Sequence, residues 1–295
     1  MTELFSIPAS ALLGQLTLGL VNGCFYAMLS LGLAVIFGML NIVNFAHGAM
    51  YTVGAFATWM ALHYLGVGYW TSLVAVPFLV GGLGVLAERF MLRRLYKLDH
   101  LYGLLLTFGI ALVVEGLLLN AYGSSGLPYS IPDGLSGAVD LGFMFLPKYR
   151  LWVVIASLSV CFTTWYLIER TQLGAYLRAA TENPGLTTAF GINVPLLVVL
   201  TFAFGVGLAG FAGVLAAPVF QINPMMGANA IIVVFAVVVI GGMGSILGSI
   251  VTGLGLGLVE GLTRIVYPEA STTVVFVIMA IVLMLRPAGL FGKEK

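Results

Sequence analysis

Charge is what this sequence lacks most. Only 8% of its 295 residues are Asp, Glu, Lys or Arg, against roughly 25% in a soluble domain. So few charges cannot cover a water-facing surface of this size, which excludes an ordinary soluble globule. Cysteine is scarce too. Cys24 and Cys161 both fall within apolar runs and read as small packing residues, not as a disulfide. The three histidines, His47, His63 and His100, have no metal-ligand spacing, so no metal site is expected. The net charge of +1 and the absence of a basic stripe argue against a nucleic-acid partner. No GxxxxGK[ST] phosphate loop occurs anywhere, so the chain has no recognisable means of hydrolysing ATP by itself. No serine or cysteine triad is legible, and no enzyme is expected. The first residues hold Glu3 but no Lys or Arg, so the positive start of a cleavable signal is missing and the first apolar run reads as a retained span.

What the sequence has in abundance is apolar length: 61% of it is hydrophobic. Lipid cannot satisfy backbone N–H and C=O groups, so spans must be helices or a closed barrel. Barrel strands would alternate apolar and polar residues. Here the runs are continuous and close to the ~20 residues a helix needs to cross the hydrocarbon. The expected fold is therefore all-α: a polytopic transmembrane bundle in one domain over 1–295. Expected spans cover roughly 11–36, 49–66, 70–87, 101–120, 151–168, 194–217, 229–248, 250–266 and 272–286. The two runs between 229 and 266 could form one long or broken element, giving eight or nine spans. Arg89, Arg93, Arg94 and Lys97 cluster in one loop, Arg170 and Arg178 in another, and Arg286, Lys293 and Lys295 in the tail. Positive charge marks the cytoplasmic side, which leaves the 121–150 loop outside. Nine spans would put the N-terminus outside as well.

The most informative polar segment is Glu169–Asn193. Asn183 can cap the free N–H groups of a helix start. Pro184 suits the first helical position, and Gly191 the left-handed position after the last turn. A two-turn helix results, with Leu186 and Phe190 on one side. So short a helix is marginal alone and needs something to dock on: a partner protein, or its own membrane domain.

Other polar signals interrupt the apolar runs. Asn41–Gly48 brings in Asn41, Asn44 and His47; His47 reads as a substrate contact or as a hydrogen-bonded interior histidine. Pro218–Asn229, containing Asn223, is a second interruption. A broken or re-entrant element in each half points to a translocation pathway. Glu115 lies deep in its run, where a charged acid costs about 2.5–3.5 kcal/mol; it must face protein or water. Glu260 and Arg264, four apart near a span end, pair or meet solvent. The GxGxxG string at Gly205–Gly210 lies inside an apolar span with no preceding strand, which excludes a dinucleotide site. Small residues repeat every fourth position at Gly205, Ala209, Gly213 and Ala217, and at Gly241, Ser245, Ser249, Gly253, Gly257 and Gly261. Such stripes let helices approach closely; they fit a movable interface or ordinary membrane packing.

Three stretches in order, NGCFYAMLSLGLAVIFGMLNIVNFAHGAMYTVGAF, RTQLGAYLRAATENPGLTTAFGIN and AVVVIGGMGSILGSIVTGLGLGLVE, resemble the branched-chain amino-acid ABC transporter permease family, of the LivH type, with urea permeases as relatives. The resemblance runs nearly the whole length. It implies a multi-pass subunit of a bacterial inner-membrane importer, paired with a second homologous permease. It also implies two cytoplasmic ATPase subunits, which would bind the ATP and Mg, and a periplasmic substrate-binding protein. No cofactor is expected in this chain, and membrane lipid surrounds it. By this resemblance the 169–193 loop carries a cytoplasmic coupling helix, with Arg178, Glu182, Asn183, Pro184, Gly185, Leu186, Phe190 and Gly191 facing the ATPase. The usual importer loop motif is degenerate here, Arg178-Ala179-Ala180 standing in its place. Asn41, Asn44, His47, Glu115 and Asn223 are the expected pathway residues. Branched-chain amino acids are the family's default substrates; urea, short amides or aromatic acids would use a similar scaffold. Two other classes compete: an ion-coupled secondary transporter, and a passive channel suggested by Asn223-Pro224-Met225.

Overall fold

The computed structural model describes residues 8–40, 42–96 and 98–292. Asn41, Lys97, Lys293 and Lys295 lie outside the described residues, so the expectations placed on them are not addressed. The long apolar runs become helices: α1 (Ala9–Leu40), α2 (Ala46–Leu65), α3 (Tyr69–Phe90), α4 (His100–Tyr122) and α5 (Lys148–Arg170). The polar segment forms α6 (Gln172–Glu182) and α7 (Pro184–Ala189), and α8 (Val194–Ala216), α9 (Met226–Gly241), α10 (Ile246–Val266) and α11 (Thr273–Leu285) follow. A small antiparallel hairpin, β1 (Ala138–Asp140) and β2 (Phe145–Pro147), sits between α4 and α5.

Among the described residues six helices, α1, α3, α4, α5, α8 and α10, are long and apolar enough to cross a membrane by length and composition. The chain is therefore a multi-pass helical membrane protein. α9 and α11 are apolar but shorter, and α2 dilutes its 20 residues with two histidines and two threonines. The region 229–266 is two helices, not one. The break falls at Gly242–Ser245, with Gly242 and Gly244 at φ of 98° and 84°, a conformation that costs glycine little. The fourfold series Gly241 to Gly261 is thus interrupted, and only Ser249, Gly253, Gly257 and Gly261 share α10. The first interruption also shifts: α2 begins at Ala46, so His47 belongs to a helical turn and not to the break.

Contacts sort the helix ends into two sets. At one end the Tyr149 hydroxyl donates to the Leu215 carbonyl (3.0 Å) and lies 2.9 Å from the Tyr69 hydroxyl, to which Trp152 also donates. This ties the starts of α3 and α5 to the end of α8. The segment after α4 joins the same end, where Leu127 pairs with Ile222 through two backbone bonds. At the opposite end Gly38 of α1 approaches Gly244, and the Arg178 guanidinium donates to the Ile168 carbonyl.

α1 and α8 form the centre. Half of α1 is buried, including every residue from Ala27 to Ile36, and it packs on α10 through backbone. A Cβ added at Gly257 would lie 2.5 Å from the Gly19 carbonyl oxygen, and one at Gly261 2.5 Å from that of Gln15. α8 meets α1 and α2 equally closely, Gly205 against Gly32 and Gly213 against Tyr51 and Gly54. Lipid tails are as apolar as leucine, so helix association here rests on van der Waals contact, which small residues maximise. α4 is the reverse case. Only Gly103 and Thr107 are buried along it, leaving an apolar face for lipid or for another membrane chain.

Candidate functional site

A cavity of about 530 Å³ opens at the end that holds the β1–β2 hairpin, between α1, α5, α9 and α10. Several polar side chains converge here inside the apolar bundle. α1 contributes Asn22 and Tyr26, one turn apart. The α8–α9 connection contributes Gln221 and Asn223, α9 contributes Asn229, and Arg150 enters from the first turn of α5. Glu260 and Arg264 of α10 complete it.

The electrostatics centre on Glu260, whose side chain is 4% exposed. Its Oε1 accepts from the Arg264 guanidinium at 2.7 Å, and its Oε2 from the Tyr26 hydroxyl at 2.7 Å. An isolated carboxylate in this setting would cost far more than its helix could supply; pairing and hydrogen bonding offset that cost. The helical i,i+4 spacing aligns Glu260 and Arg264, and α1 delivers Tyr26 across the glycine seam. Arg150 differs. Among the described residues its guanidinium makes no ion pair and no hydrogen bond, yet it lines the same cavity.

The expected pathway residues separate. Asn223 does line the cavity, its amide oxygen accepting from the Met225 N–H at 3.1 Å and so shaping the α8–α9 turn. His47 is fully buried; its Nε2 lies 2.9 Å from the Leu29 carbonyl and its ring packs on Gly32. This contact fastens α2 to α1. Asn44 is 1% exposed, and neither atom of its side-chain amide has a partner among the described residues. The strand of chain around it is clipped to α4, since Thr107 Oγ1 donates to the Val43 carbonyl and accepts from the Phe45 N–H. Glu115 borders a separate, largely apolar pocket of about 320 Å³ between α2, α4 and α9. These four residues do not meet in one site.

The residues that sequence reasoning missed are Asn22, Tyr26, Arg150, Gln221 and Asn229. Asn22 and Tyr26 lie in the apolar run of α1 and Arg150 at the start of that of α5, with no spacing that marks them; Gln221 and Asn229 fall inside the Pro218–Asn229 interruption, of which only Asn223 stood out. That interruption and the Glu260–Arg264 spacing were the signals available.

At the opposite end, α6 and α7 form a second candidate surface. Asn183 accepts from the Leu186 N–H at 2.9 Å, Pro184 opens α7, and Gly191 follows at φ 85°. Thr187 faces inward, while Leu186 and Phe190 stand 56% and 78% exposed. α6 is held close by Gly174, whose Cα packs directly on the Ile168 carbonyl, and by Arg178, which also reaches Glu169 at 3.9 Å. Glu182 and Gly185 are exposed.

A polytopic bundle with a polar cavity at one end and a short helix with exposed Leu186 and Phe190 at the other suits a membrane transport protein. Residues 15–285 match the family described as the permease component of branched-chain amino acid transport systems. The chain belongs to that family. It is similar to the high-affinity branched-chain amino acid transport system permease protein BraD of Pseudomonas aeruginosa, at 29% identity over 96% of both chains. It is similar to LivH of Escherichia coli K12 at 28%, again over 96% of both. LivM of the same organism is 28% identical over 90% of this chain and 67% of its own length. No solved structure matches.

Proposed function

We propose that this chain is a permease subunit of an ATP-driven, binding-protein-dependent importer of branched-chain amino acids in a bacterial inner membrane. α1 to α5 and α8 to α11 then make nine spans, with the N-terminus and the 121–150 loop outside and α6–α7 in the cytoplasm. A second homologous permease pairs with it, as its similarity to both LivH and LivM supports. Two ATPase subunits bind the ATP and Mg, and a periplasmic protein delivers substrate.

The observation that carries this reading is α7: a capped, two-turn helix that leaves Leu186 and Phe190 uncovered. Exposed apolar anchors on a short rigid helix suit docking into a groove. In this reading α7 is the coupling helix. ATP-driven closure of the ATPase pair moves it, α6 carries the motion to α5 through Arg178 and Gly174, and the bundle alternates between outward and inward access. Substrate passes through the polar cavity, with Asn223 at its rim; Asn44, buried without a partner among the described residues, is a second contact further along. The paired Leu186→Ala/Phe190→Ala variant is expected to lose ATPase association and ATP-driven uptake while the membrane domain stays folded. Unchanged assembly and uptake would refute the coupling assignment.

A further inference from the structure

We propose that the polar cavity recognises its solute as a zwitterion, with Arg150 as the specificity-determining group for the carboxylate and Glu260 for the ammonium. The proposal rests on the reading that substrate crosses this cavity. The cavity contains three charged side chains. Glu260 and Arg264 neutralise one another at 2.7 Å, which leaves Arg150 uncompensated among the described residues. A guanidinium presents a planar fork of donors matched to a carboxylate, and this one meets no acceptor among the described residues. In a cavity whose walls also include Phe25 and Val233, it creates a positive subsite that a carboxylate would neutralise.

The ammonium end is built differently. Glu260 already spends one oxygen on Arg264 and the other on Tyr26, but each carboxylate oxygen has two lone pairs. An ammonium can therefore add to Glu260 without breaking either bond. The filled cavity then holds two opposed charge pairs with the solute's apolar side chain on the wall. A neutral amide such as leucinamide's head group would leave Arg150 unpaired; a simple fatty acid would leave Glu260 without its second cation. The volume, about 530 Å³, accommodates an amino acid with some water.

The test uses the full-length chain in lipid nanodiscs, with leucine, leucinamide and 4-methylpentanoate as probes and the shift in thermal unfolding midpoint as the binding readout. The wild type should favour leucine over both analogues. Arg150→Gln is expected to weaken leucine binding about tenfold, the loss typical of a charge-assisted hydrogen bond, and so to abolish the preference over leucinamide. Arg150→Lys should restore part of it. If Arg150→Gln binds leucine and leucinamide as the wild type does, the assignment is overturned. A loss of uptake in the assembled importer with no change in ligand preference also overturns it, since Arg150 would then serve a partner protein. Asn229→Trp, which fills the cavity, is measured for uptake in parallel. If it transports normally, the cavity is not on the path and the underlying reading fails instead.

Discussion

The sharpest structural consequence concerns two glycines of α10, two residues apart. Gly257 faces the backbone of α1; an added methyl group would lie 2.5 Å from the Gly19 carbonyl oxygen and closer still to Gly23. Gly255 has nothing within 4 Å of its would-be Cβ. Comfortable contact needs about 3.5 Å, so Gly257→Ala must push α1 and α10 apart by roughly 1 Å. No rotamer change can relieve this, because the obstacle is main chain. Overpacking of this kind costs about 3 kcal/mol at the upper end of its usual range. Alanine returns about 1 kcal/mol through helix propensity, leaving Gly257→Ala destabilised by about 2 kcal/mol. Gly255→Ala gains only the propensity, about 1 kcal/mol. The two variants should therefore differ by about 3 kcal/mol, with opposite signs relative to wild type. Tryptophan fluorescence during thermal unfolding in one detergent reads both. Equal midpoints for the two variants would refute the backbone seam between α1 and α10.

Three further outcomes follow from the same geometry. Tyr26→Phe removes a hydrogen bond to a buried carboxylate and should cost about 1.5–3 kcal/mol, measured by the same melt; an unaltered midpoint would place Tyr26 away from Glu260. Asn183→Ala deletes the cap of α7 and should lower stability of that segment by about 1 kcal/mol, seen as faster amide hydrogen exchange at Leu186 with α8 unchanged. Gly174→Ala cannot be accommodated against the Ile168 carbonyl, so α6 should detach from α5. A spin label on α6 should then gain mobility, and retained order would contradict the contact.

Much of the architecture was legible because it follows from local rules. Apolar run length located α1 to α5, α8, α10 and α11 to within a few residues but carried α9 to 248, where the helix ends at Gly241, and Asn183, Pro184 and Gly191 framed α7 through capping chemistry alone. The break between α9 and α10 was harder. Apolar content is continuous across it, and the two glycines that make the turn, Gly242 and Gly244, fall between Gly241 and Ser245 of the fourfold series. The cavity was the least legible part. Asn22 and Tyr26 are one turn apart on α1, but Arg150 lies more than a hundred residues away and Glu260 more than a hundred beyond that. Isolated polar groups in separate helices gain meaning only once the glycine seams have set which faces meet. His47 stood out in the sequence because it is the sole charge-capable group of its segment; in the fold it joins α2 to α1 through the Leu29 carbonyl.

The central claim is that this chain is one membrane half of an ATP-driven importer. Its most direct test is leucine uptake into proteoliposomes, with the chain reconstituted alone or together with a homologous permease, ATPase subunits and binding protein. The account predicts uptake only in the complete assembly and only with ATP. Uptake by this chain alone, without ATP, would contradict it.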